Sequence, residues 1–567
     1  MRRMIRTYEM RRATVLLGLL SVLILPVFLM PIEVEAATPV ITALETPSIE
    51  RTWDDVSILY PNTYLNSSMV EDEVENIHTS VPELVDVEVI GQSIENRDIL
   101  SIRITNEDAP QQKAKTLVVA HHHGREKVTV NTAIYFMQWL VNSYGEDPQI
   151  TEYIDTQEIY VIPTINPDAL NYIYNNSDHW LRKNLRPYDD DGDGQIDEDP
   201  YEDVNDDGYV TQYEVWTKGV GEQLNYQYAY YEGIDNDGDG QFNEDWIGHT
   251  DLNRNYDSYW GLESSASLDP LSQVFSGTAP FSEPETQAFR DFALEHSFGM
   301  SYSLHTGINA TFFVTNSVGN WIEGSLYSQM WNDYEEILPP NFNYYLDSSA
   351  TTSNARAPST LSGGWGDWMY EERGCIAPIT FEIFNNASSE GEELYYLHEE
   401  NSTHVIMAWN GIFEYFAPDE PYIESLWLEL IPSFEYLLEQ TPRLSLSLQA
   451  STIQDTEVQA SITATCLSPR IETIDGVDVQ LLDGTLLDSI PAIDAGHEIS
   501  TSVQLEFTSA NEGENVTIRV GNEFSGYYRF LVSFISGGTT LDPLVIGGIT
   551  IAGVAIVIVV IYLIRKR

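Results

Sequence analysis

The chain has 567 residues and carries 88 Asp and Glu against 27 Lys and Arg, a formal net charge of −61. This length exceeds that of one compact domain, and 43% hydrophobic residues suffice for folded cores, which argues against a disordered chain. So negative a surface repels phosphates, which excludes nucleic acid as a ligand of the body and makes cations its natural partners.

The first predicted element is a secretory signal over residues 1–36. Five arginines within residues 2–12 precede the apolar run Ala13–Met30, and small residues follow at Ala36 and Ala37. This three-part pattern is typical of a signal peptide that is removed on secretion. An uncleaved anchor is the alternative.

Residues 58–417 are predicted to form an α/β domain. Apolar runs typical of buried strands, such as Thr116–Ala120 and Glu158–Pro163, alternate with helical stretches such as Val128–Tyr144. A helical connector over residues 422–442 follows this region along the chain.

The first strand-like run leads into the turn HHHGRE, which contains a candidate metal site. His123 and Glu126 are three residues apart, so an imidazole nitrogen and a carboxylate oxygen can face one side where a strand gives way to a helix. A catalytic zinc ion requires a third protein ligand, and His305, after the apolar segment MSYSL, is the best candidate. His121 and His122 lack the spacing to Glu126, and hydrogen bonds behind the ligands or to the backbone are expected for them.

Three further motifs suit chemistry on a substrate that carries a carboxylate. Arg182, in WLRKN, provides a guanidinium that can stabilise an oxyanion. Arg254, which follows Asn253 in the segment NRN, can hold a carboxylate through a bidentate fork. Glu382 is the one acid in the apolar run PITFEIF. Because a buried carboxylate without a function is costly, a general base beside a metal-activated water is a physical reason for it.

Residues 189–245 form an acidic insertion with 13 Asp and 6 Glu against one basic residue, Lys218. Its middle segment fits a 12-residue EF-hand loop, which predicts calcium binding through oxygens at the usual positions. The predicted ligands of this loop are Asp203, Asn205, Asp207, the carbonyl of Tyr209, and a bidentate Glu214.

Two outer loops of the insertion repeat one pattern with three acidic ligands and a glycine. Their predicted calcium ligands are Asp189, Asp191 and Asp193 in the first loop, and Asp235, Asp237 and Asp239 in the second. The position that would hold the closing Glu is occupied by Pro200 or Trp246, so the closing acid is Glu198 or Asp199 in the first loop, and Glu244 or Asp245 in the second. A solvated acidic insertion without bound ions is the alternative.

The last two predicted elements follow the connector. Short alternating strands over residues 443–536 predict a small β-sandwich, for which a spacer or adhesion module is the default role. The uncharged run over residues 544–564 matches the thickness of a bilayer and precedes Arg565, Lys566 and Arg567. These features predict a single-pass cell-membrane protein whose catalytic domain is extracellular.

The ordered segments HGRE, WLRKNLR, NRN, SLHTG, GGWGDW and TFE resemble the funnel-type zinc carboxypeptidases, a carboxypeptidase A-like family of metallopeptidases. The resemblance implies an α/β/α sandwich around a mixed eight-stranded sheet, and removal of the C-terminal residue of a peptide. It implies His123, Glu126 and His305 as zinc ligands, Glu382 as general acid and base, and Arg182 at the oxyanion.

The resemblance also assigns residues to the substrate. It places Asn253 and Arg254 on the terminal carboxylate, Arg125 in the substrate channel, and Gly366 at the floor of the side-chain pocket. Because Gly366 carries no acid, a neutral or aromatic C-terminal residue is expected and a basic one is not.

The resulting prediction is a membrane-anchored extracellular zinc metallocarboxypeptidase with structural calcium, acting on the C-termini of peptides or proteins. Two alternatives stay open. One is an amidase or peptidase that cleaves cell-wall or side-chain peptide bonds, and the other is a catalytically inactive calcium-binding adhesion protein.

Overall fold

A computed structural model describes most of the chain. The described residues are 38–43, 49–108, 113–221, 223–262, 265–313, 326–339, 361–386, 395–454, 457–473, 476–507, 515–535, 544–545 and 560–561. No helix in this part of the chain is long and apolar enough to span a bilayer. The predicted signal lies outside the described residues, as does the predicted membrane span except for residues 544–545 and 560–561, which pair as two short antiparallel strands.

The chain alternates helices and strands up to residue 440 and then continues as strands. The main helices are α1 Ser67–Ser80, α2 Val128–Ser143, α3 Pro148–Thr156, α4 Pro167–Asn176, α5 Pro284–Leu294, α6 Leu326–Ile337, α7 Trp365–Glu371, α8 Ile412–Phe416 and α9 Ile423–Gln440. The strands are β1 Thr38–Ala43, β2 Val85–Gln92, β3 Asp98–Ile104, β4 Ala114–Ala120, β5 Gln157–Ile162, β6 Gln212–Lys218, β7 Leu224–Tyr231, β8 Met300–His305, β9 Asn309–Phe312, β10 Ala377–Ile383, β11 Tyr395–Glu400, β12 His404–Trp409, β13 Leu444–Gln454, β14 Glu457–Cys466, β15 Val477–Leu481, β16 Leu486–Ile490, β17 Glu498–Glu506, β18 Asn515–Asn522 and β19 Gly526–Ile535.

The central sheet is mixed, with the order β2-β3-β5-β4-β8-β10-β9. Its four inner strands, β5, β4, β8 and β10, are parallel, and antiparallel strands flank them on both sides. The predicted α/β organisation with a mixed sheet is confirmed. The described residues contribute seven strands to this sheet, where the family resemblance implied eight.

Helices cover both faces of this sheet because its strands are apolar on both sides. In β4, Val118 and Ala120 join an apolar cluster with α2 and α9, whereas Leu117 and Val119 join a cluster with α5 and α7 on the opposite face. Continuous apolar strands of this kind are typical of parallel sheets buried between helices. The carboxyl ends of the parallel strands therefore form one edge that is open to functional groups.

The acidic insertion contains two strands as well as loops. β6 and β7 form a hairpin, and β12 and β11 extend it into the four-stranded antiparallel sheet β11-β12-β6-β7. Their sequences, QYEVWTK and LNYQYAYY, are rich in aromatic residues, which favour strands.

Beyond α9, the chain forms two antiparallel sheets, of the orders β1-β19-β18-β15-β16 and β13-β14-β17. A second apolar cluster contains buried side chains from both sheets, such as Ile462 and Val520. The first strand of the larger sheet, β1, comes from the start of the described chain and pairs with β19. This pairing could not be predicted from the sequence, because a single edge strand carries no periodicity that identifies its distant partner.

A buried ion pair joins helix α3 of the α/β region to the residue just before β13 in the C-terminal sheets. Arg443 Nη1 lies 2.7 Å from Glu152 Oε1, and both side chains are almost fully buried. The Arg443 guanidinium also lies 4.7 Å above the ring of Tyr153 on α3.

Candidate active site

The candidate site forms where the parallel strands β4, β8 and β10 end. β8 and β10 are in register so that His305 pairs with Glu382, and the turn that follows β4 carries His123 and Glu126. Because neighbouring parallel strands end at the same edge of a sheet, groups far apart in sequence are brought together there.

The turn after β4 is shaped by two residues with special backbone requirements. His121 adopts a left-handed conformation with φ 64° and redirects the chain as it leaves the strand. Gly124 packs closely against α4, where an added Cβ would lie 2.9 Å from Cβ of Ala169. The N–H of Gly124 donates to the carbonyl of Arg182 at 3.1 Å, which ties this turn to the segment that carries the arginine.

His123, Glu126 and His305 bring their ligand atoms within 4.8 Å of one another, and all three are buried. His123 Nδ1 lies 2.7 Å from Glu126 Oε1, His305 Nδ1 lies 2.9 Å from Glu126 Oε2, and the two Nδ1 atoms are 3.2 Å apart. Two imidazole nitrogens and a carboxylate that converge in this way form a donor set that suits zinc.

The other nitrogen of each imidazole also has a partner. His123 Nε2 lies 3.1 Å from Oδ1 of Asp251, and His305 Nε2 lies 3.1 Å from the hydroxyl of Ser303. Such partners orient metal-binding imidazoles and leave the opposite nitrogen free for the ion. The donor set therefore fits the zinc ion that the sequence predicted.

Asp251 is a functional residue that sequence reasoning missed. It is fully buried and caps the short 3₁₀ turn Leu252–Arg254. Burial opposes its charge, but Arg182 and Arg254 hold the pKa of Asp251 well below its ordinary value. The sequence did contain a sign of this residue. Asp251 stands two residues before Asn253 in the segment TDLNRN, and aspartate is a favoured residue at the start of a helical turn.

Arg182 is held by Asp251 and faces the ligand cluster. Its Nε and Nη2 each lie 2.9 Å from Asp251 Oδ2, and its Nη1 lies 3.2 Å from His123 Nδ1. A guanidinium fixed in this way presents a positive charge beside the metal position.

Glu382 is the acid that sequence reasoning placed at this site, and the structure places it beside His305. Its Oε2 is buried and has no hydrogen-bond partner among the described residues. Burial, together with the neighbouring carboxylate Glu126, raises the pKa of Glu382 well above its ordinary value. A carboxyl group with an unused oxygen and a raised pKa is suited to accepting and returning a proton.

Asn253 and Arg254 reach the same site from the 3₁₀ turn. Asn253 Oδ1 accepts from the N–H of Trp365, and Arg254 is fixed by the carbonyl of Ser265. Gly363, with φ 67°, lies so close to this turn that an added Cβ would be 1.8 Å from the carbonyl oxygen of Arg254. The GGWGDW segment therefore needs a glycine at this position in order to pack against the turn.

Arg125 is fixed by contacts with Phe416 and Trp180. Its guanidinium lies 4.4 Å from the ring centre of Phe416, and Nη1 donates to the carbonyl of Trp180 at 3.4 Å. Burial lowers the pKa of Arg125 to about 10, so the side chain stays cationic at neutral pH.

One cavity of about 510 Å³ joins these groups. Its lining contains every predicted zinc, catalytic and substrate residue, namely His123, Arg125, Glu126, Arg182, Asn253, Arg254, His305, Gly366 and Glu382. Apolar side chains, including Ile308, Phe312 and Pro378, line it as well. The structure thus gathers the whole predicted set in one concave site of the size that small ligands occupy.

The two outer acidic loops pair with each other at a second location. Asp245 accepts from the N–H groups of residues 190 and 197, and Asp199 accepts from those of residues 236 and 243, so each loop holds the backbone of the other. This leaves Glu198 and Glu244, rather than Asp199 and Asp245, to join carboxylate clusters.

Carboxylates of these loops gather in four groups whose ligand atoms lie within 4.8 Å of one another. Two groups lie within a loop and two are shared between the loops. They are Asp189, Asp191 and Asp193; Asp235, Asp237 and Asp239; Asp191, Asp239 and Glu244; and Asp193, Glu198 and Asp237.

The predicted closing residue of the EF-hand loop, Glu214, has other partners in the structure. Glu214 lies on β6, and its carboxylate accepts hydrogen bonds from Trp216 and Tyr395. Within the described residues, the carboxylates of Asp203, Asp207 and Glu214 do not form a group.

The physical reason is the pairing of β6 with β7 and β12, which extends the chain where an EF-hand loop would turn back. The backbone of the middle loop is held by Glu232, whose carboxylate accepts from the N–H groups of Asn205 and Thr211. The hydroxyl of Tyr209, whose carbonyl oxygen was the predicted ligand, donates to Glu414.

Comparison with known proteins places this site in a family. The family model of the zinc carboxypeptidases matches residues 70–409. Human carboxypeptidase B is 23% identical over 337 residues, which cover 55% of this chain and 61% of that protein. An inactive metallocarboxypeptidase of Saccharomyces cerevisiae is 30% identical over 129 residues, which cover 22% of this chain and 30% of that protein.

Among solved structures, bovine thrombin-activatable fibrinolysis inhibitor in complex with tick carboxypeptidase inhibitor is similar, with 18% identity and a TM-score of 0.43. The match covers 66% of this chain and 97% of that chain. The chain spans less than two thirds of the length of the human and yeast relatives. Because the family model matches more than half of its residues, the chain belongs to the zinc carboxypeptidase family.

Proposed function

We propose that this chain is an active zinc metallocarboxypeptidase that hydrolyses the C-terminal peptide bond of peptides or proteins. The observation that carries the proposal is the single cavity shared by a zinc-type donor set, an acid with a buried and unpartnered oxygen, and three arginines. A free carboxylate at the end of a peptide is the substrate feature that such a cationic cavity fits best.

His123, Glu126 and His305 would hold the zinc ion. When bound, zinc supplies Lewis acidity, which lowers the pKa of water and polarises a carbonyl group. Glu382 then takes a proton from the attacking water and passes it to the leaving amine. Arg182, fixed by Asp251, stabilises the negative charge that develops on the carbonyl oxygen.

Asn253 and Arg254 hold the terminal carboxylate of the substrate, and Arg125 lies further along the channel. Gly366 contributes no side chain to the pocket, while Ile308 and Phe312 contribute apolar surface. This lining supports a preference for a neutral or aromatic C-terminal residue.

Several relatives are inactive metallocarboxypeptidases, so the test measures the activity of this chain directly. The test uses the purified, zinc-loaded chain on peptides that differ only in the last residue, with C-terminally amidated copies as controls, read by mass spectrometry. Loss of single residues from the free-acid peptides alone supports the proposal. Cleavage within cell-wall peptides but not at C-termini would favour an amidase, and no cleavage of either with zinc bound would favour an adhesion role.

We also propose that the paired outer loops bind calcium. The support is the gathering of their carboxylates at four positions, which leaves a high density of negative charge unless cations neutralise it. Because these loops lie between Arg182 and Arg254 in sequence, bound calcium would stabilise the rim of the cavity.

We further propose that the protein is secreted and anchored in the cell membrane by its C-terminus. Residues 1–36 and 544–564 support secretion and anchoring by the C-terminus. Alkaline extraction of membranes and protease treatment of intact cells that express the full chain test this. Release by alkali, or a body that intact cells protect from protease, would contradict it.

A further inference from the structure

His122 neither belongs to the zinc donor set nor lines the cavity. We infer that His122 is a positioning residue that fixes the tautomer and orientation of the zinc ligand His305 through the hydroxyl of Ser303. The inference rests on the proposed zinc site and is independent of the proposed substrate.

The contacts of His122 form a continuous path to His305. The His122 ring is fully buried and stacks on the His305 ring, with 5.4 Å between centroids and 14° between planes. His122 Nδ1 lies 3.2 Å from Ser303 Oγ, which in turn lies 3.1 Å from His305 Nε2. At its other end, His122 Nε2 lies 3.0 Å from the hydroxyl of Tyr256.

The direction of these hydrogen bonds follows from the zinc site. His305 Nδ1 faces Glu126 and His123, so it must be unprotonated to bind an ion. A neutral imidazole keeps one proton, which then lies on Nε2 and needs an acceptor.

Asn253 cannot provide that acceptor. Its Oδ1 already accepts from the N–H of Trp365 at 2.9 Å, so its amide nitrogen, itself a donor, faces His305 Nε2 at 3.3 Å. Ser303 Oγ is therefore the acceptor that the described residues offer to His305 Nε2.

Ser303 completes the path. Its single hydroxyl hydrogen is free to donate to His122 Nδ1, which places the proton of His122 on Nε2, where it donates to Tyr256. Both partners of His122 are hydroxyl groups in a buried site, which favours the neutral ring. Each donor thus points away from the zinc position, and His305 Nδ1 is left with its lone pair toward the ion.

Three variants test this path by zinc affinity and by the absorption spectrum of the cobalt-substituted protein. His122→Phe keeps a stacked ring but removes both hydrogen bonds, Ser303→Ala removes the link, and the double variant removes both. Partners behind metal ligands change affinity by about 10- to 100-fold, so we expect about 10-fold weaker zinc binding and a shifted cobalt spectrum in each single variant. Because both residues act through one path, zinc affinity in the double variant should be no lower than in whichever single variant binds zinc more weakly.

His121→Asn is the matched control. His121 is the adjacent histidine and is equally buried, but its hydrogen bonds go to Thr164 and to the carbonyl of Gly124. Asparagine tolerates its left-handed backbone. We expect zinc affinity and the cobalt spectrum to stay unchanged in this variant, and thermal melting of the metal-free proteins shows which variants fold.

Unchanged zinc affinity and cobalt spectrum in His122→Phe would overturn the inference, as would additive losses in the double variant. If His122→Phe does not fold, Ser303→Ala decides alone, because an unchanged affinity there would show that the hydrogen-bonded path through Ser303 has no effect on His305. A wild-type chain that binds zinc but cleaves no peptide would overturn the proposed function and leave this inference standing.

Discussion

Asp251 accepts a hydrogen bond from His123 Nε2 at 3.1 Å and, through its other oxygen, holds Arg182 at 2.9 Å. One buried carboxylate thus orients a zinc ligand and the guanidinium that faces it. A group with two such contacts affects both metal binding and turnover.

We therefore expect Asp251→Asn to weaken zinc binding by about 10- to 100-fold, since the amide is a poorer acceptor for His123. Competition with a chelator of known affinity measures this. The turnover of the fully zinc-loaded variant should also fall, because Arg182 loses its charged partner. A variant with wild-type zinc affinity would show that His123 is oriented by other contacts.

Glu382→Gln should abolish peptide hydrolysis while zinc stays bound. The amide keeps the size of the side chain but cannot accept a proton, and such groups contribute about 10²- to 10⁴-fold to turnover. Metal content and kcat on a free-acid peptide are the measurements. Glu371→Gln, on the nearby helix α7 and away from the cavity lining, is the control that should keep wild-type activity. A fully active Glu382→Gln would remove the proposed mechanism.

Arg254→Ala should raise KM for free-acid peptides far more than it lowers kcat. A hydrogen bond to a charged group contributes about 1.5–3 kcal/mol, which corresponds to a loss of about 10- to 150-fold in affinity. Steady-state kinetics on matched free-acid and amidated peptides test this. If the loss were equal for both peptides, Arg254 would not bind the terminal carboxylate.

Removal of calcium should lower the Tm of the chain before zinc is lost, because the paired loops would then repel each other. A calcium-selective chelator, thermal melting and zinc analysis measure this. The double variant Asp191→Asn with Asp237→Asn should remove most of the effect, since both residues belong to two carboxylate groups. The matched control changes Asp203 and Asp207 of the middle loop to Asn and should respond to the chelator like the wild type.

The buried pair of Glu152 and Arg443 should make stability depend on pH. Burial raises the pKa of Glu152 from 4.5 to about 7, so the folded chain holds more protons than the unfolded chain between these values. The stabilising contribution is therefore complete below pH 4.5 and is lost as the pH rises through about 7. Buried histidines such as His121, whose pKa burial lowers from 6.5 to about 4, oppose this trend below pH 6.5.

The free energy of unfolding should thus fall by about 1 kcal/mol for this group between about pH 6.5 and 8. Denaturant titrations of the metal-free chain across that range measure the slope. Glu152→Gln keeps an acceptor for Arg443 but cannot ionise, so its slope should be smaller. Equal slopes in the two proteins would assign the pH dependence to other groups.

The sequence by itself determined the family and the residues that gather in the cavity. His123 with Glu126, His305, and Glu382 stand out because zinc ligands and a buried general base require specific residue types next to apolar strands. The strand and helix periods also predicted the α/β domain, since these patterns are local.

The tertiary structure decided what depends on distant partners. Glu214 fits an EF-hand loop by spacing, but β6 pairs with β7 and β12 and turns its carboxylate to Trp216 and Tyr395. β1 joins a sheet formed by the end of the described chain. The partners β12 of β6 and β19 of β1 lie far away in sequence, and local preferences carry no information about them.

The same reason explains why the predicted metal ligands could be found from the sequence and the residues that hydrogen-bond to them could not. The ligand residues follow from their own chemistry, whereas Asp251, Ser303 and His122 acquire their roles only when the carboxyl ends of β4 and β8 lie side by side. Their side chains are ordinary polar groups in sequence, and burial beside the ligands fixes which hydrogen bonds they make.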